Sequence, residues 1–275
     1  MFGQAYKKVI IIMVVFNLFA CSVVGGMWYA RMDQFIANQF LESANFSTTQ
    51  ENYIRKATQE FKYWNIKNEL PEYKKLLLHF RLLGSEAHVG DIDEIYEKGA
   101  MFGNRSINFF VPYLVKFFKT LTNKQIEEIE IHFDGLMEEK RFELGNETKN
   151  YQAALEKSFV RFFRLLGVKL NDEQKNTVRL LSSELEDTRY QLLNDRIKWN
   201  QQFVAILDLR QKKIFEESLT DHINSLSSED KNTRTVINQI TAEIIASLDE
   251  KQRARFQKRL GVFVTSIDQI LARQN

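Results

Sequence analysis

Few side chains in this sequence are spaced for catalysis or for metal binding. Glu128 and His132 are four residues apart, so on a helix they share one face and could form one edge of a metal site. A solvated helix face explains this pair more simply. No His-Glu-x-x-His motif, glycine-rich phosphate loop or Gly-x-Ser-x-Gly elbow occurs. We therefore predict no enzyme activity, no cofactor and no metal site.

The other reactive side chain is the thiol of Cys21, the only cysteine in the chain. Lys7 and Lys8 precede an apolar run over Val9–Ala20, which is the order and length of a signal peptide. The last three residues before the cysteine resemble a bacterial lipobox: Leu18, Phe19 and Ala20. A lone cysteine cannot close an internal disulfide, so we predict that Cys21 is lipidated, as by palmitate, and anchors the chain to a bilayer.

Two membrane locations follow from this amino terminus. Ser22, rather than Asp, follows the cysteine, and the resemblance to Gram-negative lipoproteins then implies the periplasmic face of the outer membrane. No charge lies in the 22 residues between Lys8 and Arg31, so an uncleaved helix in the inner membrane is the alternative.

The charge balance argues against a nucleic-acid partner. The formal net charge of the chain is +2, and Lys7 and Lys8 are the only charges in its first 20 residues. The rest therefore carries 36 basic and 36 acidic residues. A neutral chain exerts no long-range attraction on a polyanion, so no nucleic acid is expected to bind.

Apolar periodicity predicts helices throughout the remaining sequence. One apolar face recurs at helical spacing from Tyr151 to Leu166. The stretch from Val168 to Leu260 lacks Gly and Pro, and apolar residues recur in it every seven positions: Val178, Leu185, Leu192, Trp199 and Ile206. We predict a long helix along this repeat, packed against an antiparallel partner, and an all-α, elongated bundle of roughly eight to ten helices overall.

Four segments share one local pattern: an apolar residue, then Ser, Thr, Asn or Asp, then two polar residues and a glutamine. The second residue can cap a helix through its side-chain oxygen, and the glutamine can accept the backbone N–H of the cap residue. This reciprocal arrangement is a capping box. We predict helix starts at four pairs: Ser47 with Gln50, Thr122 with Gln125, Asn171 with Gln174, and Asp249 with Gln252.

The spacing of these boxes suggests two related halves. Their first residues, Phe46, Leu121, Leu170 and Leu248, are separated by 75, 49 and 78 residues. This long-short-long order fits an old duplication. We therefore divide the chain into a signal peptide (1–20), a lipidated cysteine with a tether or helix (21–45), and two helical halves (46–169 and 170–275).

Two surfaces could bind a partner. The stretch Ile107–Phe118 is apolar almost all round, which favours a buried central helix; the alternative is a partly open groove for a client or a lipid. Its candidate contacts are Phe109, Phe110, Phe117 and Phe118. A second stretch is basic, with five positive charges that a solvated helix face would explain: Lys251, Arg253, Arg255, Lys258 and Arg259.

The order of segments resembles a known but uncharacterised family. After Cys21 come Tyr29, Arg31 and Asp33, then "NELPEYKKLLLHF", "LTNKQIEEIEIHF" and "LNDEQKNTVRLL" leading to "DRIKWNQQFVAIL". This order resembles proteobacterial helical lipoproteins defined by a domain of unknown function, which implies export and an anchor but no catalytic residues. The Leu-Thr-x-x-Gln pattern is also shared with small periplasmic stress chaperones.

From these features we expect a non-enzymatic envelope lipoprotein. It would bind an exported protein or an envelope component in a chaperone-like role. The alternative is a structural scaffold subunit of an envelope complex.

Overall fold

A computed structural model describes residues 29–146, 150–183, 185–225 and 231–273. Cys21 and the lipobox residues Leu18, Phe19 and Ala20 lie outside these ranges, as does the choice between a cleaved and an uncleaved amino terminus. Within the described residues, no helix combines the length and the apolar character needed to cross a membrane.

The described residues form eleven helices and no strand, which confirms the all-α class. The helices are α1 Met32–Leu41, α2 Thr48–Asn68, α3 Leu70–Leu82, α4 Val89–Phe118, α5 Asn123–Asn146, α6 Tyr151–Leu165, α7 Asp172–Leu181, α8 Arg189–Leu207, α9 Phe215–Ser225, α10 Lys231–Ala246 and α11 Glu250–Ala272.

The long helix expected along the repeat from Val178 to Ile206 is wrong, because one helix ends at Leu181 and the next begins at Arg189. In that stretch, side chains form hydrogen bonds with the nearby backbone, and these bonds end one helix and start the next. Ser183 Oγ donates to the carbonyl of Leu180 at 2.6 Å, and Asp187 accepts the N–H of Arg189 at 3.2 Å. The seven-residue period continues across this break, but Val178 and Trp199 pack against different hydrophobic cores.

Two large hydrophobic cores organise the described residues, and a smaller cluster joins Tyr151, Leu155 and Leu185. The first core is built from α1, the start of α2, the end of α4 and α5, together with α8 and α9. The second core is built from α6, α7, α10 and α11, together with α3, the starts of α1 and α4 and the end of α2. Each core thus combines two helices preceded by capping boxes with helices taken from the other half of the sequence.

The exchanged helices run antiparallel to their partners. Lys74 near the start of α3 pairs with Asp268 near the end of α11 at 2.6 Å, while Phe80 meets Phe256 at the opposite end. Likewise, Arg210 just after α8 donates to the carbonyl of Leu121 just before α5 at 2.8 Å. A boundary at residue 170 therefore does not separate two packing units, because the halves are intertwined.

Candidate apolar binding site

In the first core, two capping boxes face each other through their glutamines. Gln50 Nε2 donates to Gln125 Oε1 at 3.1 Å, and Gln125 Nε2 donates to Gln50 Oε1 at 2.8 Å. Each amide also donates to a backbone carbonyl two residues before the partner's cap, at Thr120 (3.2 Å) and Asn45 (3.0 Å). The pair therefore joins the start of α2 to the start of α5 and to the turn after α4.

The second core repeats this geometry. Gln174 and Gln252 donate to each other's Oε1 at 3.0 Å, and they reach the carbonyls of Ser247 (3.4 Å) and Lys169 (2.8 Å). All four boxes form, but the sequence interpretation missed the pairing of their amides. The sequence did contain a signal for this pairing. A capping box accepts Glu as readily as Gln, yet Gln occupies this position in all four boxes. Of these two side chains, only the amide of Gln can donate a hydrogen bond to a partner.

An apolar cavity of about 340 Å³ lies in the first core between α1, α2, α4, α8 and α9. We call it the aromatic cavity, because eight of its fifteen lining residues are aromatic. It is lined by Ile36, Phe40, Tyr53, Ile54, Ala57, Thr58, Ile107, Phe110, Tyr113, Leu114, Phe117, Phe118, Trp199, Phe203 and Ile223.

The stretch Ile107–Phe118 is neither fully buried nor an open groove. Phe117 and Phe118 are each 3% exposed and line the cavity, and half-buried Phe110 lines it too. Phe109 lies outside the lining, where its ring packs 5.1 Å from Trp64 and 5.3 Å from Tyr113. Three of the four candidate phenylalanines thus form the cavity wall, and the favoured expectation of a buried central helix is only partly correct.

Two titratable rings at the cavity, Tyr113 and His222, are held neutral. The hydroxyl of Tyr113 donates to Glu60 Oε2 at 2.5 Å, and this bond, with burial, raises the pKa of Tyr113 to about 12. His222 stacks on Trp199 at 4.4 Å between ring centroids, and burial followed by the nearby charge of Arg196 lowers its pKa. At neutral pH the wall therefore presents no charge to a ligand.

Behind Trp199, α8 carries two buried polar atoms that are unpartnered within the described residues. The guanidinium carbon of Arg196 lies 4.7 Å from the centroid of the Trp199 ring, and burial lowers the pKa of Arg196. Its Nη1 and the Oδ1 of Asn200, one turn later, have no hydrogen-bond partner there. Arg196 is a charged group close to the cavity, but it is not among the residues that line it.

A second space of about 360 Å³ adjoins the first pair of boxes. We call it the polar cleft, because eight of its nine lining residues have hydroxyl, amide or ammonium groups, although carbon atoms make up most of the surface that they present. The cleft is lined by Ser47, Thr49, Gln50, Tyr53, Lys116, Phe117, Thr120, Thr122 and Gln125. Tyr53 and Phe117 also line the aromatic cavity, so two rings form a shared wall between the two spaces.

The basic stretch on α11 is partly structural. Arg253 donates to the carbonyls of Leu83 (3.0 Å) and Ile245 (3.1 Å), and Arg259 Nε donates to that of Leu165 (3.1 Å). These carbonyls end three helices, where a positive side chain is favourable. At least these two of the five charges hold the second core together.

The acidic and histidine residues do not assemble a metal site within the described part of the chain. Glu128, one of the two candidate ligands, instead accepts the backbone N–H of Asn45 at 2.7 Å and its Nδ2 at 3.0 Å. No group of three or more His, Cys, Asp or Glu residues suited to an ion occurs among the described residues.

Comparison with known proteins gives one match. A family of unknown function, DUF6279, matches residues 44–231, which include the first three capping boxes and most of the aromatic cavity. No curated protein and no solved structure matches the chain.

Proposed function

Because the chain belongs to the DUF6279 family, whose function is unknown, we propose a function from its own geometry. The protein is a non-catalytic binding protein of the bacterial envelope, anchored to the outer membrane through lipidated Cys21. It takes an apolar group into the aromatic cavity.

The cavity itself is the observation that carries this proposal. Its volume of about 340 Å³ falls within the range of about 300–1,000 Å³ typical of ligand pockets. Such pockets are usually apolar and aromatic, with few polar groups, as is this one. Rings from four different helices meet there, among them Phe40, Tyr53, Phe110 and Phe203. An apolar ligand in the cavity would therefore exchange contact with water for contact with these rings over most of its own surface.

The anchor part of the proposal has a direct test. We expect the intact mass of the membrane-extracted protein to lack residues 1–20 and to include acyl chains. A Cys21→Ala variant should lose the acyl mass and accumulate as the uncleaved precursor, because the thiol is the acylated group. A native protein that retains Met1 would contradict the lipoprotein assignment and favour the uncleaved inner-membrane helix.

The cavity part is tested with an environment-sensitive apolar dye and the full chain in lipid nanodiscs. Leu114 is half-buried and lines the cavity, so the larger ring of Leu114→Trp should occupy part of the space and weaken dye binding by about tenfold. The matched control is Leu78→Trp, since Leu78 is a half-buried leucine that packs against the second core. Equal dye binding by both variants and the unaltered chain would refute the cavity assignment.

One observation favours the alternative function, a scaffold subunit. Ile131 and Phe142 on α5 are 63% and 74% exposed, and their separation of eleven residues places them on one helix face. Such residues suit a permanent partner that would cover them. Crosslinking in the envelope distinguishes the functions. A single stoichiometric protein partner indicates a scaffold, and many weak protein clients indicate a chaperone. Neither result is expected of a protein whose cavity binds a small apolar ligand.

A further inference from the structure

The aromatic cavity and the polar cleft are adjacent parts of one potential site. Tyr53 and Phe117 line both, so a molecule with one apolar end and one polar end could occupy the two spaces together. The shared wall is weakly held at Tyr53, whose hydroxyl reaches the carbonyl of Tyr113 at only 3.5 Å. Joint occupancy of the two spaces requires this half-buried ring to turn out of the shared wall.

The size of the cavity suits a single alkyl chain. A methylene takes about the volume of a water molecule in the liquid, roughly 30 Å³, so a cavity of about 340 Å³ holds about eleven methylenes. A lipid with two long chains exceeds this volume. The lining contributes almost no hydrogen-bonding surface, which suits an unbranched hydrocarbon better than a peptide with its many amide groups.

The cleft carries the charge that a negative head group would require. Lys116 is exposed and lines it, and no acidic residue is among the described residues that do so. The first turns of α2 and α5 also reach the cleft at Thr49 and Gln125, and helix amino termini carry partial positive charge. Hydroxyl groups of Ser47 and Thr122 add neutral hydrogen-bonding partners.

We propose that the aromatic cavity and the polar cleft together bind one single-chain anionic amphiphile of the fatty acid class. The alkyl chain lies in the cavity, and the carboxylate lies in the cleft beside Lys116. This inference rests on the proposed function and specifies the ligand of the same site.

The probe for the test is a series of unbranched fatty acids of increasing length that carry bromine on the last carbon. Bromine quenches the fluorescence of an indole ring on contact, and Trp199 lines the cavity. The chain has three tryptophans, so replacing Trp28 and Trp64 by phenylalanine leaves Trp199 as the single reporter. The full chain in lipid nanodiscs is used, and concentrations are corrected for partition into the bilayer.

We expect the affinity for the fatty acid to rise about fourfold with each added methylene and to level off at about twelve carbons, where the cavity is full. Lys116→Gln should weaken fatty acid binding about tenfold, because a charge-assisted contact is lost, and should leave binding of the matching brominated alcohol unchanged. Since Lys116 is exposed, this variant should fold normally.

Several results would overturn the ligand class. Equal binding of the acid and the alcohol by the unaltered chain would show that the site does not select an anionic head group. Loss of the acid preference in Arg196→Met but not in Lys116→Gln would place the head group behind Trp199 instead of in the cleft. Equal quenching by a brominated two-chain phospholipid would show that the site does not select ligands with a single chain. Quenching by no fatty acid, while the apolar dye still binds, would refute this inference and leave the proposed function standing.

Discussion

Gln50→Glu should destabilise the protein by about 3 kcal/mol, although glutamate is a good residue for a capping box. The glutamate would keep its bond to the N–H of Ser47 but would lose both amide donors, to Thr120 and to Gln125. Its carboxylate would also be buried, since Gln50 is only 8% exposed. Urea unfolding of the full chain, followed by circular dichroism, measures the change.

The pH dependence of this variant gives a second readout. Burial against carbonyl oxygens should raise the pKa of the introduced carboxyl in the folded state above its value in the unfolded chain. The loss of stability should then be greatest above the folded-state pKa and should shrink as the pH falls through it, because protonation restores one donor. Gln174→Glu in the second core should behave in the same way.

Capping alone predicts the opposite sign for this change. A glutamate in the first turn of a helix interacts favourably with the helix dipole, so Gln50→Glu would be neutral or slightly stabilising. A suitable control is Asp91→Glu in the box that His88 forms at the start of α4, where the cap residue is exposed. That change should alter the free energy of unfolding by less than about 0.5 kcal/mol.

Arg105→Leu should destabilise the protein by about 3–5 kcal/mol. Glu69 is 1% exposed at the junction of α2 and α3, and Arg105 on α4 donates to its two carboxylate oxygens at 2.6 and 2.7 Å. Removing the guanidinium would leave a buried carboxylate without its counter-charge. The free energy of unfolding, from the same urea titration, gives the magnitude.

Two comparisons separate the charge effect from simple loss of packing. The double variant Glu69→Leu with Arg105→Leu should recover much of the lost stability, because no charge then remains buried. Lys98→Leu removes the partner of Glu94 in an exposed pair on α4 and should leave the free energy of unfolding nearly unchanged. A double variant no more stable than Arg105→Leu would show that packing of the arginine, and not its charge, is what matters.

Local signals in the sequence predicted the helix starts well. Ser47, Asn171 and Asp249 each cap a helix with the glutamine three positions later, because a capping box depends on only four consecutive residues. The same signals did not reveal which box faces which. Pairing of Gln50 with Gln125 depends on contacts between residues 75 apart, and no local pattern encodes such a distance.

Breaks between helices and the cavity were harder to predict for a related reason. The seven-residue repeat and the absence of Gly and Pro suggested a continuous helix from Val178 to Ile206. Ordinary polar residues such as Ser183 and Asp187 nevertheless end or start helices when tertiary packing favours a turn. The sequence singled out Ile107–Phe118 as apolar. It could not show that Trp199 and Ile223, from the other half of the chain, would complete a cavity against it.

The central claim, that the aromatic cavity holds a small apolar ligand, is tested most directly in living cells. A photo-crosslinking amino acid at position 107, whose native residue lines the cavity, would trap whatever occupies it in the envelope. Mass spectrometry of the purified full chain should then show a small apolar adduct on α4 that is lost in the Leu114→Trp variant. Crosslinks only to other polypeptides, or no adduct while the protein is correctly anchored, would contradict the claim.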